Sequence, residues 1–221
     1  MTPAKTPAPD SRRSLTPIEA VDRLHEGNQR FVSEQLLERA WRDAVRASST
    51  AQFPFAAVLG CIDSRVPVEK VFDQGIGDLF VARVAGNVLN EDILGSLEFA
   101  CAVMGAVAVV VLGHTACGAV DGAIAGARLG SLTGLLQKIE PAIDRVRAAT
   151  ADDTPGFADR VSESNVELVV ESMRQSSDVL RELEDAGRIL IVGAVYDVST
   201  GLVRFLGGGR QTASREKRQS P

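Results

Sequence analysis

Two short segments of the chain contain residue types that bind metal ions. Cys61 stands in Gly-Cys-Ile-Asp-Ser-Arg (60–65), and His114 and Cys117 stand in Gly-His-Thr-Ala-Cys-Gly (113–118). Two thiolates and one imidazole suit zinc, and three protein ligands leave the fourth position of a tetrahedron open, as in catalytic zinc sites. A lone His-x-x-Cys would more simply contain a structural histidine and a buried cysteine. The third thiol, at the end of another apolar run, favours zinc.

A carboxylate and a guanidinium follow Cys61 closely in the chain. Asp63 stands two residues after the thiol, and Arg65 stands two residues after Asp63. A guanidinium can hold a carboxylate in a bidentate pair and fix its orientation. One carboxylate oxygen then stays free to accept a hydrogen bond from a hydroxide on the metal. An ion pair that stabilises a turn is the alternative, but the neighbouring thiol and open metal site favour the functional interpretation.

Both segments follow short apolar runs, and these runs indicate how the segments meet. Four such runs recur along the chain with helical stretches between them, as in buried parallel strands whose faces are covered by helices. In such sheets the functional residues gather at the carboxyl ends of the strands. Cys61 can therefore meet His114 and Cys117 if the first and third strands are neighbours. The predicted strands are 55–60, 79–85, 106–113 and 189–196.

The same alternation predicts an α/β fold with a mainly parallel central sheet flanked by helices. Thr16, before apolar residues at helical spacing, predicts an N-capped helix over 17–34 that forms an N-terminal helical arm. A turn before 202–206 predicts an antiparallel edge strand at the C-terminal end. Trp41 is interpreted as a helix packing residue and Cys101 as core. The other predicted helices are 91–104, 119–128, 132–149 and 164–186.

Composition, charge and cysteine count narrow the class of protein. The 221 residues are 45% hydrophobic and 24% charged, which predicts one soluble globular domain, 15–209, between a disordered arm, 1–14, and a polar basic tail, 210–221. The net charge of −5 argues against nucleic-acid partners. Three cysteines are too few for a disulfide scaffold and no export signal is visible, so we expect a cytoplasmic location. Glu98 and three glycines interrupt the apolar stretch 93–113, which disfavours a membrane span.

The two metal-binding segments together resemble the motifs of the β-class carbonic anhydrases. The paired motifs are Cys-Ile-Asp-Ser-Arg (61–65) and His-Thr-Ala-Cys (114–117), and the resemblance extends from about residue 15 to residue 207. Either motif alone would be weak, whereas the pair at this spacing is specific to the family. The resemblance also covers the segments 24–31, 72–87 and 95–100.

The resemblance implies a zinc cofactor and a homo-oligomer. It assigns Cys61, His114 and Cys117 as ligands of catalytic zinc, with Asp63 and Arg65 as the dyad beside the metal. It also implies a dimer in which the N-terminal helices clasp the neighbouring subunit, often paired into a tetramer. The predicted N-terminal helix has an apolar stripe without an obvious partner in its own subunit, and we therefore expect a dimer or larger assembly.

Four further positions match residues near the substrate in the family. Gln52 matches a glutamine that contacts substrate in the plant-like members, and Phe80 matches an apolar wall of the substrate cleft. Phe99 stands where those members have a tyrosine, so the ring is kept and the hydroxyl is lost. The backbone N–H of Gly118 matches a donor near the substrate. For Gln52 and Phe99, a polar loop residue and a helix core residue are equally open interpretations.

The reaction implied by the resemblance is the zinc-dependent, reversible hydration of carbon dioxide to bicarbonate and a proton, by attack of a zinc-bound hydroxide. A hydrolase of carbon disulfide or carbonyl sulfide is one alternative, because those substrates resemble carbon dioxide. A non-catalytic zinc-binding relative is another, although the intact Asp63 and Arg65 weigh against it. The chain has two histidines, and His114 is assigned as a ligand, so we expect buffer or water to carry the proton away.

One subgroup of the family closes its zinc site at lower pH, when the counterpart of Asp63 moves onto the metal. That subgroup binds inhibitory bicarbonate in a pocket formed by a tryptophan, an arginine and a tyrosine. Arg83 and Tyr196 stand at the matching positions here, but Val58 replaces the tryptophan and offers no indole N–H. We therefore expect Asp63 to stay paired with Arg65 at neutral pH, with structural roles for Arg83 and Tyr196.

Overall fold

Five strands form one sheet in the computed structural model, which describes residues 15–207. They are β1 (Ala56–Gly60), β2 (Leu79–Arg83), β3 (Ala108–His114), β4 (Leu190–Tyr196) and β5 (Val203–Leu206). Their order is β2-β1-β3-β4-β5, with β1 to β4 parallel and β5 antiparallel to β4. The predicted sheet and its antiparallel edge strand are confirmed. The expectations for 1–14 and 210–221 concern residues outside the described range.

β1 and β3 are direct neighbours, as the metal hypothesis requires. Gly60 at the end of β1 is in register with Leu112, so Cys61 follows at the level where β3 continues to His114. Every residue of both strands is buried, because helices cover the two faces of the sheet. The two predicted metal-binding segments therefore leave the sheet side by side at one edge.

The helices lie on both faces of this sheet and carry the loops that surround the predicted site. Before β3 they are α1 (Pro17–Val32), α2 (Trp41–Ser48), α3 (Val68–Val71) and α4 (Glu91–Glu98). After β3 they are α5 (Gly118–Ile124), α6 (Gly130–Gln137), α7 (Glu140–Arg147), α8 (Phe157–Ser176) and α9 (Asp178–Asp185). None of the helices within 15–207 has both the length and the apolar character that crossing a membrane requires.

Two predicted helices are each divided in two. The stretch 132–149 becomes α6 and α7 because Pro141 stands in the first turn of α7, where proline fits a helix start but cannot continue a preceding helix. The stretch 164–186 becomes α8, which begins earlier, and α9. Ser177 separates them, because its backbone is extended and its side chain caps α9 by accepting a hydrogen bond from the backbone N–H of Leu180.

The N-terminal helix α1 packs on its own subunit. It begins with the predicted cap, since Thr16 and Glu19 form a reciprocal capping box. Ala20 and Leu24 are fully buried in the cluster on one face of the sheet. Gly27 permits this close approach, because a Cβ there would overlap the carbonyl of Phe72. The expectation that α1 lacks a partner in its own subunit is therefore wrong.

Apolar side chains are exposed at the two ends of α1 and, in larger number, on α2 and the segment before it. Trp41 is 54% exposed, so its interpretation as a helix packing residue is wrong within a single subunit. Val45, Leu36 and Leu37 are also exposed. Of the residues in α2, only Ala44 is buried. This part of the arm has an apolar surface that its own subunit does not cover.

Candidate metal centre

Three buried side chains converge where β1 and β3 end. Cys61 directly follows β1, His114 is the last residue of β3, and Cys117 precedes α5. Each offers one potential ligand atom, and these atoms all lie within 4.8 Å of one another. The sequence prediction thus placed all three side chains at the correct edge of the sheet.

His114 directs an unpartnered nitrogen into this cluster. Its Nδ1 lies 2.9 Å from the backbone oxygen of Thr115, which can only accept, so in the neutral imidazole the proton is assigned to Nδ1 and the lone pair to Nε2. Nε2 is buried and has no hydrogen-bond partner among the described residues. A buried lone pair without a partner costs free energy. A metal ion bound to Nε2 would satisfy it, and the Thr115 carbonyl would hold the ring in place.

The electrostatics of the cluster favour a cation between the ligand atoms. A hydrogen bond from Cys117 is the main reason that the pKa of the Cys61 thiol falls below its usual range. The same bond, together with burial, raises the pKa of Cys117 above its usual range. Burial alone would lower the pKa of His114, but the Cys61 thiolate, the Thr115 carbonyl and the Asp63 carboxylate together outweigh burial and raise it. The pocket thus attracts positive charge, and a divalent ion would also favour ionisation of the second thiol.

Asp63 lies at the edge of the cluster and is held by Arg65. The guanidinium donates from Nε to Oδ1 at 2.9 Å and from Nη2 to Oδ2 at 2.7 Å, and the backbone N–H of Arg65 also donates to Oδ1. These bonds hold the pKa of Asp63 well below its usual range, and the bonds from the Arg65 side chain contribute most to this shift. Oδ2 lies 3.9 Å from Nε2 of His114. The carboxylate is therefore oriented towards the ligand atoms while it remains paired with the arginine.

Two arginines donate hydrogen bonds to backbone oxygens of the loops that form the site. Nη2 of Arg65 also donates to the backbone oxygen of Ala116, in the loop between His114 and Cys117. Arg83 donates to the backbone oxygens of Cys61 and Asp63, at 2.8 and 2.6 Å. Arg83 thus stabilises the loop that carries Cys61, in agreement with the structural role expected for it.

Sequence reasoning missed a carboxylate that supports the second loop. Asp159, in the first turn of α8, accepts a hydrogen bond from the backbone N–H of Ala116 at 3.0 Å. Ala116 has a φ of +50°, which is unusual for a residue other than glycine and needs support from its surroundings. Nothing in the spacing of residues along the chain links Asp159 to the motifs, because the link exists only in space.

The residues matched to substrate contacts do not all lie at this centre. Gly118 opens α5 directly after Cys117, so its backbone is beside the ligands. Phe80 is in register with Ala57, four residues before Cys61, which is about 13 Å along the strand. Gln52 precedes β1 and lies towards the amino end of that strand.

Phe80 and Phe99 form an apolar wall of their own, away from the ligands. Their ring centroids are 6.3 Å apart in an edge-to-face arrangement. Phe99 is 46% exposed, so it is not the helix core residue that was one interpretation of its position. The two rings line a surface cavity of about 690 Å³ beside β2 and α4.

Comparisons with known proteins agree on one family. The sequence model of the family described as carbonic anhydrase matches residues 56–203. A protein named carbonic anhydrase 2 from Mycobacterium tuberculosis is 36% identical over 194 residues, which cover 85% of this chain and 92% of that protein. A crystal structure of a β-carbonic anhydrase from Aspergillus fumigatus has a TM-score of 0.68 at 27% identity, over 85% of this chain and 89% of the other. A β-carbonic anhydrase from Sordaria macrospora, described as tetrameric, has a TM-score of 0.65 at 26% identity, over 72% and 84%.

Proposed function

The chain belongs to the β-class carbonic anhydrase family, and from this premise we propose that it catalyses the zinc-dependent, reversible hydration of carbon dioxide to bicarbonate and a proton. The observation that carries the proposal is the buried, unpartnered Nε2 of His114, which faces two thiols at one edge of the sheet. A merely structural histidine would have a hydrogen-bond partner at this nitrogen.

Cys61, His114 and Cys117 are the residues that would hold the zinc ion. Two thiolates and one imidazole form a donor set typical of catalytic zinc, with one position left for a reactant. When bound, zinc lowers the pKa of water and so supplies a nucleophile near neutral pH. The Thr115 carbonyl supports the site by fixing the orientation of the imidazole.

Asp63 orients the nucleophile, and Arg65 orients Asp63. The paired carboxylate can accept a hydrogen bond through the oxygen nearest to the ligand atoms, Oδ2. A nucleophile whose proton is held in this way directs its lone pair away from Asp63 and towards the substrate. The rigid pair thereby lowers the entropic cost of reaching a reactive geometry.

The substrate side of the site requires a second copy of the chain. The backbone N–H of Gly118 is assigned to the substrate in its own subunit, because it follows Cys117 directly. Gln52, Phe80 and Phe99 lie too far along the sheet from their own Cys61, so they would contact the substrate of a neighbouring subunit. The exposed Phe99 ring and the cavity beside it support this arrangement.

A homodimer or homotetramer therefore belongs to the proposal. The exposed apolar side chains of α2 and its preceding segment provide surface for a second copy. A related enzyme is described as tetrameric, which supports the same proposal. The paired thiols also function only when reduced, and on that ground we assign the protein to the cytoplasm.

The proposal is tested by stopped-flow hydration of carbon dioxide with a pH indicator. The zinc-loaded protein should accelerate hydration, lose that rate on treatment with a chelator, and regain it when zinc is restored. A zinc-loaded sample without any rate above buffer would favour a non-catalytic zinc protein. Faster turnover of carbonyl sulfide or carbon disulfide than of carbon dioxide would favour the hydrolase alternative.

A further inference from the structure

The turn Ala85–Asn87 brings a backbone N–H to the sulfur of Cys61. The nitrogen of Gly86 lies 3.3 Å from Cys61 Sγ and donates to it. Gly86 has a φ of +66°, in the left-handed region that favours glycine, and a Cβ there would lie 2.8 Å from the terminal methyl of Ile139. Asn87 has a φ of +43°. Glycine and asparagine are among the residues that adopt this left-handed conformation most readily, and contacts from neighbouring elements hold the turn in place.

Helix α8 supplies a side chain that holds this turn. Nδ2 of Asn165 donates to the backbone oxygen of Gly86 at 2.9 Å. Asn165 is 2% exposed, and Val161 and Val166 of the same helix are buried with it. Burying an amide among apolar side chains costs free energy unless the amide is hydrogen-bonded. The side chain therefore fixes the carbonyl of Gly86 while the N–H of the same residue points to the sulfur.

We propose that Asn165 is a positioning residue of the metal centre, which acts through Gly86 on the sulfur of Cys61. The inference rests on the proposed function, because a hydrogen bond to this sulfur affects the chemistry only if the sulfur binds a metal. An N–H donated to a thiolate withdraws electron density from it and fixes its direction. Asn165 thereby tunes how strongly Cys61 binds the metal, without touching the metal or the substrate.

Cobalt substituted for zinc provides the readout, because thiolate-to-cobalt charge-transfer bands report on the sulfur. Asn165→Asp keeps the shape of the side chain and replaces the donor with an acceptor, and Asn165→Ala removes the group. Both variants should bind cobalt and zinc about 10- to 100-fold more weakly, because the loss of a fixed sulfur direction outweighs the gain in electron density on the sulfur. Their charge-transfer band should move to lower energy, because the sulfur has lost a hydrogen bond that stabilised its electrons.

Two matched variants on the same helix separate positioning from general stability. Ser164→Ala changes the adjacent residue, which is 6% exposed and whose Oγ has no hydrogen-bond partner among the residues described. Val170→Ala removes packing from α8 on the core side. Val170→Ala should lower the midpoint of thermal unfolding, yet both controls should keep the wild-type charge-transfer band and metal affinity.

An unchanged band and affinity in both Asn165 variants would overturn the inference. A wild-type chain that binds neither cobalt nor zinc would contradict the proposed function instead. If both substitutions prevent folding, cadmium is titrated into the metal-free wild type and followed by NMR. The side-chain amide of Asn165 and the backbone amide of Gly86 should then shift together, and a Gly86 shift without an Asn165 shift would overturn the inference.

Discussion

The pairing of Asp63 with Arg65 bears on whether the carboxylate becomes a ligand of the metal. A carboxylate so close to three ligand atoms could itself become a fourth ligand. Arg65 donates to both oxygens of the carboxylate, and we therefore expect Asp63 to remain an oriented acceptor beside the metal. We expect the planar fork of the guanidinium, and not merely its charge, to hold the carboxylate in this position.

Replacing the fork with a point charge should therefore reduce catalysis without removing the metal. Arg65→Lys keeps the positive charge but cannot donate two parallel hydrogen bonds. We expect kcat for hydration to fall about 10- to 100-fold at full zinc content. Arg147→Lys is the matched control, because Arg147 forms a similar bidentate pair with Asp152 on the exposed surface. A wild-type rate in Arg65→Lys would contradict the role of the fork.

Helix α8 supports both loops of the candidate metal centre, although it supplies none of the three predicted ligands. Its first turn holds the loop between His114 and Cys117 through Asp159, and its middle holds the turn beside Cys61 through Asn165. A long helix packed across the sheet is rigid, so it can keep two separate loops in register with each other.

Asp159 offers a test of this support. Asp159→Ala removes the acceptor for the Ala116 N–H and should loosen the carbonyl that Arg65 binds. We expect kcat to fall about 10-fold while the protein retains its zinc. Asp159→Asn keeps an oxygen acceptor and should recover most of the rate. Equal losses in the two variants would show that the charge of Asp159, and not its hydrogen bond, matters.

A third contact of α8 predicts how stability changes with pH. Arg174 on α8 donates to both oxygens of Glu184 on α9. Burial alone would raise the pKa of Glu184, but the bonds from Arg174 and from the backbone N–H of Ile191 outweigh it and lower the pKa. A lowered carboxyl pKa stabilises the fold above the unfolded-state value of about 4.3 and loses that contribution as pH falls through the folded value.

Chemical denaturation of Glu184→Gln across pH tests this linkage. The variant should be less stable than the wild type at pH 7, and the difference should shrink below about pH 4. Glu182→Gln, an exposed position on the same helix, serves as the control and should follow the wild type. A difference in stability that does not change between neutral and acidic pH would contradict the linkage.

The sequence predicted the strands and the residues at their ends, because both are encoded in short local patterns. Continuous apolar runs predicted the strands, and the chemistry at their ends predicted which edge of the sheet carries Cys61 and His114. Asp159 and Asn165 escaped prediction because their contacts cross between segments far apart in the chain. The resemblance matched Gln52 and Phe80 to substrate contacts, but only the strand register revealed their distance from Cys61 in the same subunit.

We expect the activity of the protein to depend on its assembly into a dimer or tetramer. The exposed apolar side chains of α2 include Trp41 and Val45, while α1 is anchored in the core of its own subunit through Ala20 and Leu24. The double substitution Trp41→Glu with Val45→Glu should therefore separate subunits without unfolding them. Light scattering should show a monomer that retains zinc and loses most of its hydration rate, because the residues supplied by the second copy are absent.

Two deletions at the N-terminus test the packing of α1 on its own subunit. Removing residues 1–14 should leave assembly and rate near wild type. Removing residues 1–35 should cause aggregation, because it strips α1 from the face of the sheet that Leu24 covers. A stable and fully active monomer from the double substitution would contradict the proposed contribution of a second copy.

The most direct test of the account is X-ray absorption at the zinc edge on the purified, zinc-loaded chain. The account predicts two sulfur donors and one imidazole nitrogen from Cys61, Cys117 and His114, with one further light-atom donor at the open position. Cys101→Ala should leave this spectrum unchanged, because that cysteine is a core residue. A zinc shell without sulfur, or with a single sulfur, would contradict the assignment of these residues as the catalytic metal centre.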